Sequence, residues 1–283
     1  ARDLWGKTTR EAVEAIQGAE GAATDAIAIG PAGERLVRFA AMATYWRNRE
    51  GVAGRGGIGA VLGSKNVKAL SVAGARKTEV AETAALKALL DERRESLTTG
   101  TKALSTYGTP FLVKPINTLG ALGAYNLRQE TFAEALAISG EEMHARYHAS
   151  DTTCLKCPVA CGKQYEIRDG ELAGIRAKMP EYETIFAFGS MLGNAHAGSL
   201  ARANDLCDLL GLDTITMGVT LAFAAEALER GWLTAAEVGV PFGWGDWRGM
   251  LRLVEMTAAR EGFGDRLAEG AWRLAESVHP EAT

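Results

Sequence analysis

The stretch that most constrains this chain is DTTCLKCPVACGK, Asp151 to Lys163, which places Cys154, Cys157 and Cys161 in the spacing CxxCxxxC. Three of the four cysteines lie here. Thiolates are the softest ligands a protein offers, and three so close in sequence can reach one soft metal centre without long-range folding to gather them. A disulfide framework fits poorly, because three is odd and no secretory signal is read. The plain alternative is a buried cluster, since free Cys packs as a small hydrophobe. Pro158 and Gly162, directly after the second and third cysteines, favour an irregular ligand loop over a helix.

A chain of 283 residues provides for about two domains and a sizeable core. Its net charge of −4 gives no general attraction for nucleic acid or an anionic membrane, so any anion site must be local. The longest apolar run, Ile215 to Ala225, is far short of the ~20 residues a membrane-spanning helix needs. Thiols kept for metal rather than paired point to a reducing, cytoplasmic compartment. The opening ARDLWGKTTR has no start methionine, and a continuation of the chain beyond it is expected.

Taken in order, Thr9 is the expected N-cap of a helix from Arg10. Strands are expected from Ala26 into the GPAG turn, at Leu36 to Phe39, and at Ala69 to Ala73. Between them lies GRGGIGAVLGSKNVKAL, Gly54 to Leu70. Gly56, Gly57 and Gly59 let backbone amides approach a ligand, and Arg55, Lys65 and Lys68 surround them with positive charge, a combination suited to phosphate. It is neither a Walker loop nor GxGxxG, and a tight connection would use the same residues. A domain boundary is expected near residues 76 to 80. Beyond it the texture turns helical, so the fold class is α+β: a short β-containing part over 1–80, then a predominantly α-helical part over 81–283.

In that second part Leu86, Leu89, Leu90 and Leu97 mark an amphipathic helix. Thr98 to Gly123 reads as loops. Ser139 caps a helix with Glu142 three residues on. His144 and His148 stand one turn apart, without a supporting zinc pattern. PEYET, Pro180 to Thr184, reads as a helix start in which Glu181 and Glu183 do not face the same way. In DLLGLDT, Gly211 ends one helix and Asp213 caps the next, which is apolar nearly all round and hence buried, with free amides at its start to bind an anion or a polar heterocycle. Cys207 reads as core. Helices are expected over Asp246 to Glu261 and Asp265 to Val278, with Trp244, Trp247 and Trp272 as core or interface aromatics.

GRGGIGAVLGSKNVKAL, CLKCPVACGK, PEYET and DLLGLDT, in this order, together with LWGKTT, IGPAGERLVR and GDRLAEGAWRLAE, closely resemble the aldehyde ferredoxin oxidoreductase family, and the resemblance runs through nearly the whole chain. It implies a tungsten or molybdenum centre held by two pyranopterin dithiolenes, a neighbouring [4Fe-4S] cluster, and oxidation of an aldehyde to a carboxylic acid with ferredoxin as electron acceptor. On the matching positions Cys154, Cys157 and Cys161 would ligate iron, and Asp208, Gly211, Leu212 and Asp213 would contact pterin. The loop of Arg55, Gly56, Gly57, Gly59 and Lys65 would lie beside it, and Glu183 would stand near the metal as proton acceptor. The family pattern places a β-rich stretch before residue 1, and after Thr283 the fourth cluster cysteine. A homodimer is a candidate assembly. The rival readings are a zinc or iron-sulfur module without catalysis, and a relative with another low-potential reaction. The CxxxCxxC loop of radical enzymes is excluded by the reversed spacing.

Overall fold

The computed structural model describes residues 2–46, 49–76, 78–279 and 282. Residue 77, inside the expected boundary, lies outside this set, as do Ala1 and Thr283 at the ends of the expected domains.

The first helix, α1 (Thr9–Glu20), starts at a capping box: Thr8 Oγ1 accepts from Glu11 N at 3.3 Å, and the Glu11 carboxylate accepts from Thr8 N at 2.8 Å. The cap is therefore Thr8, one residue before the expected one. Thr9 is buried instead and donates to the Asp208 carbonyl at 2.6 Å. Strands β1 (Asp25–Ile29), β2 (Met42–Trp46) and β3 (Arg49–Ala53), followed by β4 (Ala69–Val72), form an antiparallel sheet in the order β3-β2-β1-β4. Ile27 lies opposite Thr44 on one side and Leu70 on the other. Ala12, Val13 and Ile16 of α1 cover Ala26, Ala28, Ala43 and Tyr45 in a small core.

Two short helices interrupt the sheet, α2 (Pro31–Glu34) and α3 (Ile58–Ser64). The strand expected at Leu36 to Phe39 does not form. Leu36 has φ 58°, outside the extended region, and Val37 N bonds back to Ala32 O at 2.9 Å, so the chain turns here. Val37 and Phe39 are buried in the large helical core, along with Ala32 and Ala40.

Helix α4 (Thr83–Gly100) follows, and its leucine stripe is present, but no residue of it is buried; Leu86, Leu89, Leu90 and Leu97 are all exposed. The segment read as loops contains α5 (Lys102–Tyr107), a 3-10 turn (Thr109–Leu112) and α6 (Val113–Thr118). Pro110 and Pro115 stand in or near first turns, where proline is tolerated, so composition alone misleads here. Helix α7 (Gly140–Tyr147) is capped by Ser139 as expected. A second antiparallel sheet joins β5 (His148–Thr152), β6 (Gly162–Glu166) and β7 (Arg176–Lys178).

The remaining helices are α8 (Tyr182–Phe188), α9 (Ala197–Leu210), α10 (Thr214–Glu229), α11 (Ala235–Val238), α12 (Trp247–Ala259), α13 (Phe263–Leu267) and α14 (Ala271–Val278). The single helix expected over Asp265 to Val278 is broken at Gly270, with φ 86°. Trp272 is 65% exposed rather than core, while Trp247 stacks on His196 with ring centroids 4.6 Å apart. With 53% of residues helical and 13% in strands, all paired antiparallel, the class is α+β.

Close backbone approach joins the parts. A Cβ on Gly30 would stand 2.2 Å from the Leu210 carbonyl oxygen, although Gly30 itself has φ −93°, a conformation open to any residue. The glycine is required by space alone. Gly30→Ala is expected to cost about 2–3 kcal/mol through forced displacement of α9, measured by urea unfolding; a loss under about 0.5 kcal/mol, typical of a neutral surface site, would show that no such contact exists.

Candidate cofactor cleft and cysteine hairpin

The turn between α9 and α10 is held on both sides. Gly211 ends α9 in the left-handed region at φ 76°, and its amide bonds to Cys207 O at 2.8 Å. Leu212 is fully buried and forms a bridge with Ala40. Ala41 N donates to Gly211 O at 2.8 Å and Asp213 N to Phe39 O at 3.0 Å. Asp213 caps α10, accepting from Ile215 N at 3.1 Å and Thr216 N at 3.2 Å and from the Thr216 hydroxyl. Arg55 Nε lies 3.7 Å from the same carboxylate.

These residues form one wall of a cleft of about 300 Å³, with Gly54 and Arg55 at its rim and Lys178, Glu181, Glu183, Asn204 and Asp208 around it. Both glutamates of PEYET line it, against the expectation that they diverge. Glu181 is the N-cap residue with extended backbone (φ −70°, ψ 162°), so helical spacing does not separate it from Glu183 in the first turn. Thr109 Oγ1 donates to Glu181 Oε2 at 2.5 Å, and Lys178 Nζ stands 3.6 Å from Glu181 Oε1. Asp208 is 4% exposed, and burial pushes its carboxyl up to about 7; Lys178 and the amide of Asn204, 3.0 Å away, oppose that rise.

The glycine stretch is divided. Arg55 reaches the cleft, but Gly56 and Gly57 line another hollow, with Arg38 and Arg260. Gly59 is packed so tightly that a Cβ would meet Ala41 O at 2.5 Å. Lys65 is an exposed residue closing α3. Lys68 is buried and engaged by Glu34 at 2.5 Å and the Lys7 carbonyl at 2.7 Å, so it does not add charge to a ligand cradle.

The three clustered cysteines occupy residues 153–161, the irregular connection of the β5–β6 hairpin, and no helix forms there. Cys157 N bonds to Cys154 O at 2.9 Å, and Lys156 and Ala160 adopt positive φ of 60° and 49°. Beneath the loop Lys163 is fully buried, donating to Ala160 O and Ser105 O at 2.7 Å and pairing with Asp151 at 3.0 Å. Cys154 and Cys161 line a hollow of about 200 Å³ with Arg49, Lys178 and Glu181. The hollow and the cleft therefore share Lys178 and Glu181.

Among the described residues no three His, Cys, Asp or Glu side chains already stand in metal-holding geometry. As donors, three thiols on one loop suit three ligands of an iron-sulfur cluster. Cys207 does not offer a fourth: it is fully buried in the core, outside the hollow, and burial pushes its thiol well above the usual range, with Asp208, Asp213 and Asp205 adding to the effect. The His144 and His148 rings stack 4.2 Å apart, with His148 Nε2 turned to Asp151 at 2.9 Å. Lys178 and Arg49 belong to no motif read from the sequence; the only signal for Lys178 is its place two residues before PEYET.

Residues 1–74 match the family model for the aldehyde ferredoxin oxidoreductase N-terminal domain, and residues 85–283 the model for domains 2 and 3 of the same enzyme. The chain belongs to the aldehyde ferredoxin oxidoreductase family. Among relatives, a tungsten-containing aldehyde ferredoxin oxidoreductase of Pyrococcus furiosus is 41% identical over 99% of this chain and 46% of its own length. A protein of the same description from Thermococcus kodakarensis is 40% identical, over 99% of this chain and 46% of its own length. An aliphatic sulfonate oxidoreductase, WOR-like subunit, of Pyrococcus furiosus is 35% identical over 89% of this chain and 40% of its own length. This member of the aldehyde ferredoxin oxidoreductase family thus spans under half the length of the curated relatives it matches. Its fold is shared with the active site complex BamBC of benzoyl coenzyme A reductase, solved with 1,5-dienoyl-CoA, at a TM-score of 0.77 and 24% identity, covering 99% of this chain and 44% of that one.

The Asp208 carboxyl has a pH consequence. Its value is raised to about 7 in the folded chain, so the folded state holds a proton that the unfolded chain releases near ~4. The associated stability is complete below ~4 and is lost as pH rises through about 7. Asp208→Asn should therefore lose less stability than the parent protein between about pH 5 and pH 8 in chemical denaturation, and an identical fall in both would refute the assignment.

Proposed function

We propose that the complete protein oxidises an aldehyde to a carboxylic acid at a tungsten or molybdenum bis-pyranopterin centre and passes the electrons through a [4Fe-4S] cluster to ferredoxin. The observation that carries this reading is the common wall: Lys178 and Glu181 border both the cleft under the DLLGLDT turn and the hollow of the cysteine hairpin. Two redox groups seated in these spaces would be neighbours.

When bound, the metal-pterin centre supplies the two-electron oxidation and the cluster the one-electron transfers. The balance is aldehyde plus water to carboxylic acid, two electrons and two protons. The chain's own residues have distinct parts. Arg55 and Lys178 offset the negative charge of dithiolenes and phosphate. Asp208 and Asp213 turn their carboxyl groups to the pterin ring system, Gly211 and Leu212, whose amides are both spent on Cys207 O, form the turn that holds them there, and Gly56 and Gly57 lead from Arg55 into α3, which contains Gly59 and ends at Lys65. Glu183 takes the proton of the water that adds to the carbonyl carbon. Cys154, Cys157 and Cys161 hold iron, with the fourth ligand from elsewhere in the complete protein. Reduced thiols of this kind fit a cytoplasmic setting.

One observation favours a second reading of the substrate, the 35% identical relative described as an aliphatic sulfonate oxidoreductase. Parallel assays with aldehydes and alkyl sulfonates separate the two.

Metal analysis of the full-length protein, purified anaerobically, should find tungsten or molybdenum with about four irons per chain; zinc alone would replace this reading by the structural module. In that holoprotein Glu183→Gln should lower kcat by about 10²–10⁴-fold with metal and pterin content unchanged. Unchanged turnover at full cofactor content would remove Glu183 from the chemistry.

A further inference from the structure

We infer that Arg49 is a positioning residue of the iron-sulfur site: its guanidinium holds Cys154 and raises the potential at which that site accepts an electron. The inference rests on the reading above, that the cysteine hairpin carries a cluster.

Arg49 opens β3, opposite Trp46, at the end of the β2–β3 hairpin. From there its Nη2 donates to Cys154 Sγ at 3.2 Å, across 105 positions of sequence. Among the described residues no carboxylate lies within ion-pairing distance of the Arg49 guanidinium, so its charge is not consumed elsewhere. Its neighbour shows the contrast: Glu50 is pinned by Arg10 at 2.8 Å, which also fixes the backbone from which Arg49 projects. Arg49 lines the hollow with Cys154 and Cys161, and also a larger adjoining hollow on the side of Gln164 and Arg176. The sheet of the first 80 residues thus supplies a fixed cation to a sulfur held by the second sheet.

Hydrogen bonds to ligand sulfur and nearby positive charge stabilise the extra electron of a reduced cluster, and the group that donates them is part of what sets its potential. Guanidinium stays protonated at any relevant pH and has its donors in a rigid fork, so it acts as a constant and oriented charge. No proton or electron passes through Arg49 itself.

The test is an anaerobic redox titration of the full-length holoprotein, followed by the electron paramagnetic resonance of the reduced cluster. Arg49→Met should shift the reduction equilibrium about tenfold against the reduced form, a midpoint lower by about 59 mV for one electron. Arg49→Lys, which keeps the charge but not the fork, should fall between. An unchanged or raised midpoint in Arg49→Met, with four irons retained, overturns the inference while leaving the cluster reading intact. If Arg49→Met loses iron, the Arg49→Lys midpoint decides by the same criterion; loss of iron from both folded variants would make the residue one that retains the cluster, and overturn the tuning role. A parent holoprotein without a four-iron signal overturns the cluster reading itself.

Discussion

Two backbone hydrogen bonds, from Ala41 N to Gly211 O and from Asp213 N to Phe39 O, set the position of everything around the cleft. Each contributes only about 1 kcal/mol net, but both lie in buried surroundings, where an unmade bond costs more than a made one gains. They bring the elbow of α9 and α10 against the chain as it enters β2. Once that contact is made, the exit of β3 must pass opposite Asp208 and Asp213, and Arg55 reaches the cleft. Side chains are excluded from the contact: Gly30 and Gly211 face one another so closely that a Cβ on Gly211 would sit 2.7 Å from Gly30 N.

Charge is distributed unevenly along this contact. On the sheet side Lys68 and Glu34, each 4% exposed at the side chain, satisfy one another and tie α2 to the end of the α3–β4 connection. On the cleft side the charges are less completely matched. Asp208 is buried with a neutral amide as its hydrogen-bond partner, Glu181 and Glu183 share a wall with one lysine, and Arg55 is 70% exposed beside a carboxylate already used as a helix cap. Unmatched charge of this kind is costly in an empty protein and suits a cleft whose occupant brings charge of its own.

Where local chemistry decides, the sequence was readable. Asp213 and Ser139 cap helices because a short polar side chain before an apolar run has few better uses, and Gly211 ends α9 because a left-handed residue is needed there. The family of the chain was legible from its ordered motifs. What was not legible depends on partners distant in sequence. Leu36 to Phe39 has the composition of a strand, yet Val37 and Phe39 are drawn into a core built by later helices. Lys68 looks available in a glycine-rich stretch until Glu34 is brought beside it. Lys178 and Arg49 lie in no motif; their significance comes from two sheets meeting at one hollow.

The cysteine hairpin and the cleft differ in one further respect, the length of chain each must close. The three thiols sit on a connection between strands adjacent in sequence, so bringing them together involves a short loop with little entropy to lose. The cleft wall depends on contacts such as Thr9 to Asp208, 199 residues apart, and its closure orders most of the molecule. Cys154 is exposed already, and a local opening of the connection would uncover the half-buried Cys157 and Cys161 without breaking the long-range contacts of the cleft wall. Access to the thiols is a property of a few residues, and the integrity of the cleft is a property of the whole chain.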